Sequence, residues 1–324
     1  MPLSLDEIKA PIAGEMEEFE QKFRSSMQTR VLLLDKIMHY IVKRKGKQMR
    51  PMFIFLSAGT CGKITESTFR AASLIELLHT ASLVHDDVVD DANYRRGFFS
   101  INALWKNKIA VLVGDFLLAR ALMLSVEHKE FDLLTIGTES VKEMSEGELL
   151  QMEKARQLDI TEDLYFEIIR QKTASLIASC CAMGASSAGA DQAMVTRMKE
   201  FGLHIGMAFQ IKDDLFDYGD DTIGKPVGID IKEKKMTLPL IYALSKASWL
   251  QKRHIIGIIR SESTKVSKVK EVIDFVRSSG GIDYATSVMQ RYYQEALVML
   301  EAFPNSPYRV SLGNLVRFTI ERSK

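Results

Sequence analysis

The chain has 324 residues, 46% hydrophobic and 26% charged, a globular balance that excludes a disordered or fibrous protein. Forty-three Lys and Arg against forty-two Asp and Glu leave a net charge of +1, so no nucleic-acid partner is expected and any attraction to phosphate must be local. Three cysteines, Cys61, Cys180 and Cys181, cannot close a disulfide framework, which predicts a reducing compartment, the cytoplasm. The first twenty residues are acidic and lack a signal-peptide core, and no run approaches about 18 uninterrupted apolar residues, so no transmembrane segment is expected. None of the seven prolines lies between residues 52 and 225, and Leu, Met, Ala, Glu and Lys abound there. The pattern predicts helices near 4–24, 29–44, 51–60, 66–91, 108–127, 130–154, 161–189 and 191–218, then near 237–246, 264–278, 281–302 and 308–321. With no linker or composition shift, the expectation is a single all-α domain over 1–324.

The segment 65–91 (TESTFRAASLIELLHTASLVHDDVVDD) is apolar almost all round, the mark of a helix buried inside a bundle. Its C-terminal turns carry Asp86, Asp87, Asp90 and Asp91. Like charges at i,i+4 repel, and anions sit badly at the negative end of a helix dipole. Either solvent rescues an exposed acidic helix end, or the acids hold cations. The segment 201–221 (FGLHIGMAFQIKDDLFDYGDD) repeats the pattern: Asp213, Asp214 and Asp217 match Asp86, Asp87 and Asp90 as D-D-x-x-D, again after an apolar helix. At 100° per residue Asp86 shares a face with Asp90, and Asp213 with Asp217. Oxygen ligands without His or Cys suit Mg²⁺, which keeps several waters and is completed by substrate phosphates. Neither segment has the loop of an EF-hand.

Basic runs follow these acids: Arg95 and Arg96 after the first cluster, and Lys225 with Lys232–Lys235 after the second. Lys43–Arg50 (KRKGKQMR) and Lys172-Thr173 add further cations. Any one run reads equally as a solvated face, and Lys43–Arg50 also mimics a nuclear localisation patch that the neutral whole argues against. Together they have the layout of a site that holds diphosphates by Mg²⁺ on one side and Lys/Arg on the other.

From about residue 40 onward the chain resembles the trans-isoprenyl diphosphate synthases (polyprenyl synthetases), of medium or long-chain type. The motifs are GKQMRP at 46–51, LHTASLVHDDVVDDANYRRG at 78–97, VGDFLLARA at 113–121, QKTASLI at 171–177, MAFQIKDDLFDYGDD at 207–221, GKPVGID at 224–230 and KMTLPLI at 235–241. The resemblance implies an all-α, isoprenoid-synthase-type helical bundle around a central cavity, working as a homodimer. It implies that Asp86, Asp87, Asp90, Asp213, Asp214 and Asp217 bind Mg²⁺, three ions per site, with Asp86, Asp90 and Asp213 as the direct ligands. Arg95, Lys172, Lys225 and Lys235 would contact an allylic diphosphate of farnesyl or geranyl type, with Thr173 and Gln210 at the reacting end. Lys47, Arg50, His79 and Arg96 would bind isopentenyl diphosphate; His79 taken alone reads as a core histidine. Gln48 and Lys234 depart from the commoner family form.

In that reading the growing hydrocarbon runs from Asp86 toward the helix N-terminus, gaining about 5.4 Å of depth per turn. Ala81 and Ser82 form the first floor and are small where short-chain relatives carry an aromatic; Leu78, Leu74 and Ile75 lie deeper, and Met144 is expected to help cap the tunnel. The expected product is a trans-polyprenyl diphosphate longer than C20, roughly C30–C45 at that depth per turn, and a lipid product implies loose membrane association. The alternatives are a class I terpene cyclase, which normally has an N-S-E type second metal motif, and a non-catalytic subunit of a heteromeric synthase, which typically lacks one acidic motif.

Overall fold

A computed structural model describes residues 4–43, 46–95, 97–155, 158–219 and 228–321. Among them the protein is all-α apart from one two-stranded ribbon. Helices α1 (Leu5–Lys9) and α2 (Ala13–Ser26) flank a 3₁₀ turn at Ala10–Ile12, where Pro11 interrupts the single helix expected over 4–24. Next come α3 (Leu32–Lys43), α4 (Met49–Cys61) and α5 (Glu66–Val89). Strands β1 (Tyr94–Arg95) and β2 (Phe98–Phe99) pair antiparallel around Gly97, whose φ of +80° suits glycine.

Helix α6 (Ile101–Glu127) starts well before the expected 108, because Ser100 caps it by accepting from the Ala103 N–H. It is broken at Lys106 (φ 73°, ψ 159°), which hid its first turn from helical periodicity. Helix α7 (Phe131–Ala155) follows. The helix expected over 161–189 is in fact α8 (Glu162–Ile169), a π-helical turn (Arg170–Ala174) and α9 (Ser175–Ser187). Then come α10 (Gln192–Phe216), α11 (Ile229–Lys232) and α12 (Leu238–Lys246). Helix α13 (Trp249–Ser261) was not expected; its polar first turns and Gly257 mask a stripe of Ile255, Ile258 and Ile259, all buried. Helices α14 (Val266–Ser278), α15 (Gly281–Glu301) and α16 (Pro307–Glu321) complete the chain.

The chain forms two compact units: Met1–Val141 with Ser179–Lys199 and Phe303–Leu315, and Lys142–Ala178 with Glu200–Ala302 and Val316–Lys324. The division falls inside α7, α9, α10 and α16. In the first unit α4 is buried along nearly its whole length, and Phe55 packs edge-on against Phe69 and Phe19, with ring centroids 5.1 and 6.0 Å apart. Helix α9 meets α4 backbone to backbone: a Cβ on Gly184 would stand 2.4 Å from the Ile54 carbonyl oxygen. In the second unit α15 begins against α12, where a Cβ on Gly281 would stand 2.3 Å from the Pro239 carbonyl oxygen, and Tyr242 stacks on Tyr284 at 4.1 Å.

One helix escapes a criterion of uninterrupted apolar runs. Helix α6 is long and apolar enough to cross a membrane, with a mean hydropathy of 2.1 over 18 residues, because a count of uninterrupted apolar residues overlooks a helix punctuated by Asp115 and Arg120. Within its unit α6 packs along α5, and Arg120 donates to the Ser26 carbonyl at 2.8 and 3.1 Å. Its other face leaves Val111, Leu112, Leu122, Met123 and Val126 exposed.

Candidate active site

In the first unit, α5 delivers the first aspartate set at its C-terminus, as expected. Asp86 is half-buried and Asp87 buried in the last turn, while Asp90 and Asp91 are exposed just beyond it. The Asp87 carbonyl, one of those a helix end leaves without an internal donor, accepts from the Ala92 N–H and the Asn102 amide, both at 3.0 Å. His85 meets α6: its Nε2 lies 3.2 Å from the Val111 carbonyl and 3.5 Å from Asp115.

Arg50, on α4, is paired with Glu76 of α5 at 2.6 Å, both side chains largely buried. His79 is half-buried on α5, and Lys47 is exposed just before α4, next to Gln48 in left-handed backbone (φ 52°). The Arg95 backbone lies in β1; its side chain, Arg96 and Lys225 lie outside the described residues. Of the expected tunnel residues, Ala81, Leu78, Ile75 and Leu74 are buried, and the Ser82 hydroxyl donates to the Leu78 carbonyl at 3.2 Å. Leu78, Leu74 and Met183 converge on Gly137 of α7, where an added Cβ would stand 3.0, 3.6 and 2.9 Å from them. Met144 belongs to the second unit.

In the second unit, Asp214 is the hub. Its carboxylate is fully buried and accepts from the Tyr165 hydroxyl (2.8 Å), the Gln210 amide (2.9 Å) and the Lys235 ammonium (2.8 Å). The Thr173 hydroxyl donates to the Gln210 oxygen at 2.7 Å, which fixes the Gln210 amide toward Asp214. Burial opposes the Lys235 charge, but Asp214 and Asp230 overcome it and raise its pKa. Burial, with Asp214 repelling the ionised form, pushes the Tyr165 phenol well above its usual range.

Asp213 is exposed, and Asp217 is half-buried. Asp217 accepts from the Ile229 N–H at 2.7 Å and the Asp230 N–H at 3.2 Å, tying α11 to the end of α10; burial raises its pKa against those bonds. Burial also pushes Asp230 up to about 7, with Asp214 and Asp217 adding to the effect and Lys235 opposing it.

Lys172 and Thr173 sit in the π-helical turn, a feature that recurs at functional sites. Gly147 of α7 admits that turn, since a Cβ on it would stand 2.8 Å from both the Gln171 Cβ and the Lys172 nitrogen. The next residue, Glu148, pairs with Lys172 at 2.5 Å, and Gln151 lies 3.4 Å from the same ammonium.

The sequence reading missed Tyr165, Glu148, Glu76 and Asp230. Tyr165 stands seven residues before Lys172, two helical turns away, and the interior Gly147 was a packing signal; for Glu76 and Asp230 no sequence signal stands out. A cavity of about 230 Å³, smaller than most ligand sites, lies between Phe166, Arg170, Leu203, Met207 and Tyr292; Met207 opens the 207–221 motif, but none of the expected metal- or diphosphate-binding residues lines it.

Among the described residues no three His, Cys, Asp or Glu side chains are gathered as a metal centre. What each unit offers is an exposed or half-buried carboxylate pair or single carboxylate, all oxygen. That donor set fits Mg²⁺, which takes one or two protein carboxylates and fills its shell with water and phosphate.

Residues 31–276 match the family model described as Polyprenyl synthetase. An all-trans-nonaprenyl-diphosphate synthase (geranyl-diphosphate specific) of Rhodobacter capsulatus is 39% identical over 98% of this chain and 97% of its own. The crystal structure of a decaprenyl diphosphate synthase from Rhodobacter capsulatus superposes with a TM-score of 0.92 at 30% identity, covering 99% and 100% of the two chains. A polyprenyl synthase of Caulobacter crescentus CB15, complexed with calcium and isoprenyl diphosphate, gives 0.89 at 31% identity over 100% and 99%.

Proposed function

This chain belongs to the polyprenyl synthetase family, and from that premise we propose that it extends a geranyl- or farnesyl-type allylic diphosphate by repeated condensation with isopentenyl diphosphate, giving a trans-polyprenyl diphosphate longer than C20. The observation that carries the reading is the hub at Asp214, which gathers Thr173, Gln210, Tyr165 and Lys235 from four segments around the second aspartate motif.

In each cycle the C–O bond of the allylic diphosphate breaks and both electrons leave with the diphosphate. The isopentenyl double bond attacks the allylic cation, forming the new C–C bond, and transfer of a proton to the departed diphosphate regenerates an alkene. Mg²⁺, three ions per site, would neutralise charge gathering on the leaving diphosphate. All six aspartates belong to the metal sites, with Asp86, Asp90 and Asp213 as the direct ligands; Asp214 and Asp217 also accept hydrogen bonds that fix the end of α10.

Lys172, Lys225, Lys235 and Arg95 receive the allylic diphosphate, and Lys47, Arg50, His79 and Arg96 the isopentenyl one. Lys235 stays charged because Asp214 and Asp230 outweigh its burial, and Arg50 is held by Glu76. Fixed cations of this kind act where charge develops, at no reorganisation cost during the reaction.

The exposed apolar face of α6 supports a homodimer, which would cover Val111, Leu112, Leu122, Met123 and Val126. Four helices that run through the division between the units support one catalytic domain over the whole chain, and three free cysteines support a cytoplasmic location. Incubation with Mg²⁺, geranyl or farnesyl diphosphate and isopentenyl diphosphate, followed by mass spectrometry, should yield a polyprenyl ladder past C20. A cyclised hydrocarbon, or no elongation, would overturn the proposal.

A further inference from the structure

Helix α5 is buried on all sides near its middle, where apolar side chains give no direction to a charged group. Yet the carboxylates on its last turn must point one way. Two polar ties to α6 oppose rotation of the helix about its axis. Asn102, before the break at Lys106, donates to the Asp87 carbonyl at 3.0 Å. His85, beyond the break, fills the space over Gly114: a Cβ there would stand 2.1, 2.4 and 2.8 Å from the Nε2, Cδ2 and Cε1 atoms of the imidazole. Since a carbonyl only accepts, His85 Nε2 carries the proton it shares with the Val111 oxygen 3.2 Å away.

We propose that His85 is a positioning residue, whose imidazole, keyed into the notch at Gly114, fixes the rotation of the last turn of α5 and so the direction of Asp86 and Asp90. One residue along a helix is 100° of rotation, so fixing the azimuth of His85 fixes that of Asp86 directly after it. Gly114 is required for this, because any side chain there expels the ring. The inference rests on the proposed metal-holding role of Asp86 and Asp90 and goes beyond it in naming what aims them.

The test is calorimetric titration of the full-length protein with inorganic diphosphate in Mg²⁺, together with thermal melting. His85→Ala and Gly114→Ala should each weaken Mg²⁺-dependent diphosphate binding about tenfold, the order seen when a residue that orients metal ligands is removed. The double variant should be no worse than His85→Ala, since without a ring the added methyl displaces nothing. His85→Gln, which keeps an N–H donor, should recover most of the loss.

Multiplying losses in the double variant, or binding unchanged in His85→Ala, would overturn the proposal. A lower melting temperature with unaltered binding would reduce His85 to a packing residue and overturn it equally. Should Gly114→Ala not fold, the contrast between His85→Ala and His85→Gln decides alone. Asp86→Asn separates the two levels: if it leaves binding intact, the metal assignment falls and this inference with it. If it abolishes binding while His85→Ala does not, only the inference falls.

Discussion

Gly206 of α10 lies directly against Ala174, so closely that a Cβ on it would stand 2.4 Å from the Ala174 Cα and 2.7 Å from its Cβ. Backbone therefore meets backbone where the π-helical turn crosses α10, one helical turn before Gln210 and beside Thr173. That approach sets the 2.7 Å bond between Thr173 and Gln210. Gly206→Ala should destabilise the protein by about 1–3 kcal/mol through overpacking against backbone that cannot yield. It should also raise KM for the allylic diphosphate as Thr173 and Gln210 separate. Urea unfolding and steady-state elongation kinetics check the two effects.

The pair of Asp214 and Lys235 is asymmetric, and the asymmetry decides which partner is costlier to lose. The Asp214 side chain is fully buried, whereas 23% of the Lys235 side chain reaches solvent and Asp230 lies 3.4 Å away as a second partner. Lys235→Met strands a buried carboxylate and should cost about 3 kcal/mol. Asp214→Asn leaves a cation that still has Asp230 and water and should cost about 1–2 kcal/mol. The double variant should cost less than the two together, as measured by guanidinium unfolding.

Both D-D-x-x-D sets, their places at the ends of apolar helices and the cations after them are legible in sequence, because periodicity and residue type suffice to find them. What distinguishes Asp213 from its neighbour Asp214 is not legible. The two are the same residue type, and one is buried only because Tyr165 and Lys235, 49 and 21 residues away along the chain, come to it. The π-helical turn was read as plain helix for a similar reason: Gly147 and Gly206 admit it from other helices, and nothing in RQKTA announces it. The helix 249–261 is not legible because its Gln-Lys-Arg-His run dilutes the apolar period carried by three buried isoleucines.

Glu148 holds the Lys172 ammonium that the proposed function assigns to the allylic diphosphate. Both side chains are about a third exposed, so solvent screening limits the pair to under about 1 kcal/mol, and an incoming diphosphate can draw the lysine away. Glu148→Gln should therefore lower KM for the allylic diphosphate roughly two- to fivefold, with kcat unchanged or reduced as diphosphate release slows. A raised KM in steady-state kinetics would instead make Glu148 the residue that aims Lys172.

Ala81 is fully buried one turn inward from the aspartates. Ala81→Phe places an aromatic ring in that turn and should shorten the product to about C15–C20, at a stability cost of about 1–3 kcal/mol. Radiolabel chromatography of the product ladder checks this, and a ladder unchanged from wild type would refute the path along Leu78 and Leu74.

Asp230 gives the metal-free protein a pH dependence of definite sign. Its carboxyl is pushed up to about 7 by burial and by the Asp214 and Asp217 carboxylates, while the unfolded chain titrates near its usual 3.8. Between those values the folded state holds a proton that the unfolded state has lost, so raising the pH withdraws stability. The contribution is fully present below the unfolded pKa and disappears as pH climbs through about 7. Thermal melting in a chelator should show wild type losing stability from pH 5 to pH 8 relative to Asp230→Asn, whose amide does not titrate. Mg²⁺ with diphosphate, which favours ionised carboxylates at the site, should narrow that difference; a gap that stays constant across the range would mean Asp230 ionises normally in the folded protein.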